Sequence, residues 1–512
     1  MNTLRVAGLI GLSLVSLKLI SQGFNRRYDA FGQGYAQGSY GCERTSNGIT
    51  VFSGSYEPDT LGPDSLVGTY ALILQGLDDA GGPQWEKRYR REQHGEYLGW
   101  ADCCDTVAGG GFVVGGSSEQ YWTGVGEARL VRFNAQGDSL WSRTFGSPGA
   151  FWIGQQVKQT SDGGFVFCGH TDADSYDDAF VIKTDALGIE QWRQVYGISG
   201  GVVDGFTAID ESPTGALYMS GSRFITDENS QHWVQRTSAD GMFVWETEWG
   251  GPYLEGATYI SVTSNGRLIV SGGNAQAAEY AEMRAYLAQV DTVDGAVIWE
   301  NEFGPFAIGV NLFAAKECPN ADIIACGVTY EGGHEQGLLL RATSEGDSLW
   351  MRNYSYYDEV IDSCRGRFWD VLPTTDGGFI MSGFANGPFG GPYPPGYSQD
   401  AWVVKVDSMG CVVPGCDATG VTEVITNLGG ALTVFPNPAH GQVQVQIALP
   451  SSLRGKQDLQ LTLVNTAGQV ALVRAAQEGS NELDLGSLSG GVYYIHLSSE
   501  KTWLSGTKLV VE

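Results

Sequence analysis

The chain has 512 residues and a formal net charge of −28, with 58 Asp and Glu against 30 Lys and Arg. Such an excess of negative charge excludes nucleic acid and anionic membrane as partners, since both would be repelled on approach. It suits solubility outside the cell or cation binding, and 73 Gly with 14 Trp suit many short strands joined by tight turns.

At the N-terminus, Arg5 precedes an apolar run over residues 6–15 that continues, interrupted by Lys18, to Ile20. Ser21-Gln22-Gly23 supplies the small residues a signal peptidase reads, so residues 1–23 are expected to be a signal peptide. The run is too short and too interrupted for a membrane span, and no later window approaches that length.

A repeat then fills residues 24–417. Its clearest copy opens with Asp162-Gly163-Gly164-Phe165-Val166-Phe167-Cys168-Gly169, passes through a second strand from Ala179 to Asp185 and a turn at Gly188, and closes on Trp192-Arg193-Gln194-Val195-Tyr196-Gly197. The first Gly-terminated strand recurs at Gly54, Gly116, Gly169, Gly221, Gly272, Gly327 and Gly383, and the Trp at Trp85, Trp141, Trp192, Trp245, Trp299 and Trp350. With the strand before each turn, the unit has four strands, and seven such units predict a closed seven-bladed β-propeller. The unit resembles the Asp-Gly-Gly-Phe repeats of secreted bacterial propellers, whose roles vary.

The seventh unit lacks its Trp-x-x-x-Tyr strand. Phe24-Asn25-Arg26-Arg27-Tyr28-Asp29 matches Trp141-Ser142-Arg143-Thr144-Phe145-Gly146 in aromatic spacing. The N-terminal strand is therefore expected to be the outermost strand of the seventh blade, paired with residues 401–407, covering an edge that would otherwise stay open.

Residues present in every unit are first of all structural. The position before each closing Gly is always small, so Cys168 and Cys326 read as packing fillers. The column Gln75, Arg132, Lys183, Arg236, Gln289, Arg341 and Lys405 could form an anion-binding ring, but a solvated or locally paired column is the better reading in so acidic a chain. Strand order puts the tight turns on one face. The long, variable connections lie on the other, carrying Tyr56, Tyr121, Trp122, Tyr176, Tyr330, Phe389, Tyr393 and Tyr397 with Glu57, Asp59, Glu119, Asp172, Asp174, Asp177, Asp178, Glu331 and Glu335. A binding surface is expected there.

Catalytic signals are weak. Residues 172–178 are rich in Asp, but they lack the Gly and distal Glu of an EF-hand and read as an acidic loop rather than a calcium site. Residues 185–192 fall one position out of step with the Asp-box of sialidases. Histidines 94, 170, 232, 334, 440 and 496 show no metal-ligand spacing, although His170, His232 and His334 fall in or beside variable-face loops. No nucleophile elbow or phosphate loop occurs. No catalytic, cofactor-binding or metal-ligating residue is assigned, no cofactor is implied, and a non-enzymatic role is favoured. Of nine cysteines, Cys411 and Cys416 flank the turn-like Val412-Val413-Pro414-Gly415 and are the expected disulfide. Cys318 is placed opposite Ile323 and is not expected to bridge Cys326; Cys42, Cys103, Cys104 and Cys364 stay open.

Residues 418–431 read as a linker. Beyond it come Leu432-Thr433-Val434-Phe435-Pro436-Asn437-Pro438-Ala439, the alternating Val443-Gln444-Val445-Gln446-Ile447, a strand from Leu459 to Val464 and the turn Asn465-Thr466-Ala467-Gly468. Leu485 and Leu488, Gly490-Gly491-Val492-Tyr493-Tyr494 and a closing strand over Thr507-Lys508-Leu509-Val510-Val511 complete the segment. Its period-two alternation predicts a small Ig-like β-sandwich, with the two prolines at a strand edge or entry. Residues 432–512 resemble the type A C-terminal sorting domain of the type IX secretion system of Gram-negative bacteria. The resemblance implies contact with that secretion machinery, removal of the domain during export, and a mature protein secreted or anchored at the outer cell surface. The expected molecule is an all-β monomer that binds a glycan, protein or cation through its variable face. A secreted hydrolase of polysaccharide or peptide, with carboxylates gathered at the central channel, is the alternative.

Overall fold

The computed structural model describes residues 23–512 apart from residues 30–35, 46–47, 59–67, 92–93, 121–124, 174–176, 198–203, 227–228, 276–282, 308–309, 332–333, 357–364, 387–398, 420–423, 427, 429, 451–452, 456–457 and 501. The expected leader therefore lies outside the described residues.

Seven antiparallel sheets follow one another along the chain. Sheet I comprises Ala36–Thr45, Gly48–Pro58, Gly68–Leu77 and Pro83–Tyr89, and sheet III comprises Trp152–Gln159, Phe165–Thr171, Asp178–Thr184 and Glu190–Tyr196. Sheets IV (from Asp204–Glu211), V (from Glu255–Val262) and VI (from Asn311–Glu317) repeat that order. Sheet VII joins Arg365–Pro373, Phe379–Asn386 and Asp400–Val406 to the N-terminal strand Phe24–Tyr28, which pairs from Phe24 opposite Lys405 to Tyr28 opposite Ala401. Each sheet packs on the next, and Ala36–Thr45 of sheet I packs on Phe379–Asn386 of sheet VII, so the sheets form a closed ring of the β-propeller kind.

The repeated residues explain why neighbouring sheets adhere. The turn glycines Gly137, Gly188, Gly241, Gly295 and Gly346 all have φ between 72° and 86°. Each lies under the indole of the preceding sheet, and a Cβ there would come within 2.7–2.9 Å of Trp85, Trp141, Trp192, Trp245 or Trp299. Glycine is thus required twice, by backbone conformation and by close approach. Gly81 of sheet I meets Phe24 in the same way at 2.8 Å, which identifies Phe24 as the seventh sheet's substitute for the Trp. The motif's tyrosine acts on the same turn: Tyr28, Tyr196 and Tyr354 donate to the carbonyls of Gly81, Gly241 and Gly410 at 2.8, 2.9 and 2.7 Å.

The cation column is locally paired. Lys183, Arg341 and Lys405 bind Asp162, Asp322 and Asp376 of the tight turns at 2.9, 2.7 and 3.2 Å, while Arg132 and Arg236 donate to the carbonyls of Gly110 and Thr292. These cations brace turns within or between sheets, and nothing in the column is arranged as an anion ring. Cys168 and Cys326 are fully buried free thiols, and Cys411 and Cys416 form a disulfide. One register expectation is corrected: Glu317, not Cys318, stands opposite Ile323, and Cys318 opens the turn, its amide donating to the Asp322 carbonyl.

The C-terminal segment forms two sheets around a core that includes Val443, Val445, Ile447, Leu461, Leu463, Ile495, Leu497 and Leu509. The side chain of Asn437, between two prolines that cannot donate, replaces a strand's peptide group. It donates to the Lys508 carbonyl at 2.8 Å and accepts from the Val510 amide at 2.9 Å. One of the two sheets is continuous with sheet VI through Val424–Thr426, which pairs in parallel with both Ser348–Ser355 and Thr502–Val511. Trp503 is fully buried in the same apolar cluster as Cys411, Val412, Val413 and Cys416.

Candidate functional site

Sheet II breaks the pattern. Its inner strand is split into His94–Leu98 and Cys104–Thr106, both paired with Phe112–Gln120, and residues 99–103 bulge between them. Asp102 has φ 50°, a left-handed conformation rare outside glycine, and such outliers gather at functional sites. The excursion is pinned on both sides. Asp102 N–H donates to the Tyr40 carbonyl of sheet I at 3.0 Å, and Trp100 N–H to Gln155 Oε1 of sheet III at 3.0 Å. Gly99 is needed here because a Cβ would sit 1.6 Å from the Gln155 carbonyl oxygen.

The excursion serves two places at once. Outward, it holds the Trp100 indole 44% exposed in a cleft of about 900 Å³ shared by sheets I, II and III. Tyr70 and Tyr97 form a tilted pair 4.6 Å apart in the same cleft, and Tyr40, Phe151 and Ile153 add further apolar surface. Among the described residues, its polar groups are Glu96, Glu119, Ser117, Gln155, Gln399 and His170, and no Lys or Arg lines it. Glu96 is buried and ion-paired to both Arg91, at 2.7 Å, and Arg129. Glu119 accepts from the Tyr97 hydroxyl at 3.4 Å, and burial lowers the His170 pKa, favouring a neutral ring.

Inward, Asp102 reaches the axis of the ring, where it is fully buried. Its carboxylate accepts from Lys158 at 2.7 Å, Lys316 at 3.1 Å, the Tyr259 hydroxyl at 2.7 Å and Gln156 at 3.2 Å. Lys316 also pairs with Asp370 at 2.8 Å, Asp370 accepts from the Cys42 amide at 2.9 Å, and Gln156 accepts from the Ile209 amide at 2.7 Å. All seven sheets meet in this one network. Tyr40, Phe313 and Trp100 pack their rings on Trp369 at 5.7, 4.2 and 5.3 Å between the cleft and the network.

Burial would raise the Asp102 carboxyl, but Lys158 and Lys316 hold it below its ordinary value. The other acids of the channel have no such excess of cations. Burial raises Glu43 well above its ordinary value, raises Asp105 and Asp370, and lifts Asp210 to about 6. A raised acid keeps in the folded chain a proton that the unfolded chain has already lost. Its effect on stability is therefore most favourable near pH 4 and declines as the pH rises through about 6. We expect the melting temperature to fall between pH 4.5 and pH 7.5 (a window set by ordinary and raised carboxylates), and Asp210→Asn to flatten that slope. An Asp210→Asn profile parallel to the wild type would refute this. On the acid side, burial would raise Asp162, but hydrogen bonds from Thr160, Gly164 and Lys183 hold it at about 2, so its contribution is lost as the pH falls.

Glu43, Asp102 and Cys104 bring ligand atoms within 4.8 Å of one another, the one grouping of this kind among the described residues. Asp102 already accepts four donors, two of them ammonium groups that would repel a metal ion, so no metal is assigned there. Within the acidic loop at residues 172–178, Asp172 accepts from the Phe151 amide at 2.5 Å and the Asp177 carbonyl from the Asp204 amide at 2.7 Å. Asp174 and Tyr176 lie outside the described residues.

Of the loop residues flagged by sequence, Glu119 and His170 line the cleft, while Tyr330 donates to Glu335, which pairs with Arg367. Asp59, Tyr121, Trp122, Phe389, Tyr393, Tyr397 and Cys364 lie outside the described residues, as do the side chains of Tyr56, Glu57, Glu331 and His334. Sequence reasoning missed Tyr70, Tyr97, Trp100 and Phe151. The one available signal was that residues 99–103 do not continue the alternation of an inner strand.

The described residues thus form a closed ring of sheets carrying an aromatic cleft, followed by a small strand-rich tail domain. Residues 433–512 match the family described as the secretion system C-terminal sorting domain, so the chain carries a type IX sorting tail and is exported to the cell surface or secreted. No helix among the described residues is long and apolar enough to cross a membrane. No curated protein matches the chain. Among solved structures, it is similar to PorZ, an essential bacterial surface component of the type IX secretion system of Porphyromonas gingivalis, at 10% identity over 91% of this chain and 69% of that one, with a TM-score of 0.34. It is also similar to a puromycin-hydrolyzing peptidase of Mycobacterium tuberculosis, at 13% identity over 74% and 52% of the two chains, with a TM-score of 0.42. Neither likeness bears on activity.

Proposed function

We propose that the exported ring is a binding module whose ligand is a neutral saccharide seated in the cleft of sheets I to III. The observation that carries this reading is the Trp100 indole, exposed on a backbone fixed from both neighbouring sheets and facing a cavity with no cationic side chain among its described lining residues. A pyranose presents an apolar C–H face and a rim of hydroxyls. Aromatic side chains on rigid backbone supply the complementary face at small entropic cost, and Glu119, Gln399 and Ser117 supply hydrogen-bonding groups. A phosphorylated or otherwise anionic ligand would find no counter-charge. The sorting domain engages the type IX machinery through residues 432–512, and the mature monomer then displays the cleft from the outer surface.

The hydrolase reading is less well supported. Of the two carboxylates among the described lining residues, Glu96 is engaged by two arginines, and the axis acids Asp102 and Asp370 are fully buried. Calorimetric titration of the purified chain against oligosaccharides selected on a glycan array tests the proposal. Trp100→Ala should weaken binding by about 30-fold, the equivalent of about 2 kcal/mol for a central aromatic contact. Absence of any glycan ligand, or equal affinity in Trp100→Ala, would overturn it. Release of reducing ends that stops in Glu119→Gln would replace binding with hydrolysis.

A further inference from the structure

We propose that a second pocket, between sheets IV and V on the variable face, binds an organic cation carrying a primary ammonium or guanidinium group. The pocket encloses about 610 Å³ and does not share a lining residue with the saccharide cleft. Among the described residues, it is lined by the carboxylates Glu255, Glu300 and Glu302 and the rings of His232, Trp249 and Tyr286, and by no Lys or Arg.

Each group's partners define its charge. His232 is fully buried, stacked 4.4 Å from Tyr286 at 13°, with Nε2 2.6 Å from Asn274 Oδ1, and burial lowers its pKa to about 4. It is therefore neutral near pH 7 and does not oppose a cation. Trp249 Nε1 donates to the Tyr286 hydroxyl at 2.6 Å, which in turn donates to Glu300 at 2.6 Å, so these aromatic groups are fixed in place beside a carboxylate. Glu255 receives the Gly251 amide on both oxygens, at 2.6 and 2.7 Å. Gly250, at φ 149°, takes a backbone conformation that L side chains rarely adopt, and a Cβ there would push the Glu255 carboxylate aside. Arg284 approaches Glu302 at 3.5 Å from the flank, offsetting one of the three negative charges. The remaining crowding is felt at Glu255, whose carboxyl is raised by burial and further by Glu300 and Glu302.

Spacing selects the kind of cation. The three carboxylates are not among the described groupings whose ligand atoms lie within 4.8 Å of one another, so they do not form a shared coordination sphere for a bare divalent ion. Negative charge spread around a cavity with aromatic walls suits a larger, weakly hydrated organic cation, held by carboxylates at its edge and by ring faces along its body.

Calorimetry of the full-length chain with agmatine at 150 mM NaCl (roughly physiological ionic strength) tests the proposal, with 1-butanol as an uncharged probe and calcium chloride as a metal probe. Glu300 and Glu302 are both exposed, so the double substitution Glu300→Gln/Glu302→Gln leaves the core intact. The expected result is one agmatine site, weakened at least tenfold in that variant, with no uptake of butanol or calcium there. A matched loss of two acids on the tight-turn face, Asp240→Asn/Glu345→Gln, should leave affinity unchanged. Absence of agmatine binding, equal weakening in both double variants, or calcium displacing agmatine from the site would each overturn the proposal. Trp100→Ala should not alter agmatine binding, which keeps this outcome separate from that of the saccharide cleft.

Discussion

Removal of residues 24–29 is expected to lower the melting temperature of the ring by about 10 °C or more. Phe24 and Tyr28 are each only 6% exposed, and truncating a buried aromatic costs about 3–5 kcal/mol. The strand also contributes Asn25, which accepts from Trp402 Nε1 at 2.6 Å and donates to the Ser355 carbonyl at 3.1 Å, and Arg27, which pairs with the buried Asp400. Without it, the Trp402 indole loses its acceptor, the Gly81 turn loses both its ring cover and its tyrosine, and Asp400–Val406 becomes an open edge. Differential scanning calorimetry reads the effect. A melt within about 2 °C of the full-length chain would show that the strand is a dispensable tail.

The second large effect is expected at the axis. Asp102→Asn should destabilise the chain by about 3–5 kcal/mol, since removing one partner of a buried ionic network leaves the other charges uncompensated. Lys158 and Lys316 would face a neutral amide, and the amide nitrogen would confront the Tyr259 and Gln156 donors. Asn is the informative replacement because it tolerates a positive φ at least as well as Asp, so the backbone at 50° is not additionally strained. Urea denaturation of the two proteins gives the difference. A change below about 1 kcal/mol would mean that the network contributes no more than a surface pair.

Much of the fold is written locally. The Trp, the turn Gly and the Tyr recur at fixed offsets because each sheet must present the same contacts to its neighbour, and Phe24 and Tyr28 kept that spacing at the far end of the chain. Pro436-Asn437-Pro438 and the alternating strands after it announced the sorting tail, and Cys411 and Cys416 were close enough in sequence to be paired by turn geometry alone. What the sequence determined by itself was thus strand, turn, repeat and address, all set by interactions a few residues apart or copied from unit to unit. Only the tertiary structure decided the sites. Asp102, Lys158, Tyr259, Lys316 and Asp370 come from the inner edges of separate sheets at about one or two repeats' spacing, but nothing in that spacing says that these particular charges pair. They meet because the ring closes, while the packing of sheet I on sheet II brings Tyr70 beside Tyr97 and the folding of sheet V sets Glu255 near Glu300. The bulge at residues 99–103 and the pairing of Val424–Thr426 with two different sheets were likewise illegible, since a bulge or an edge pairing is settled by the neighbouring strand and not by the residues that make it.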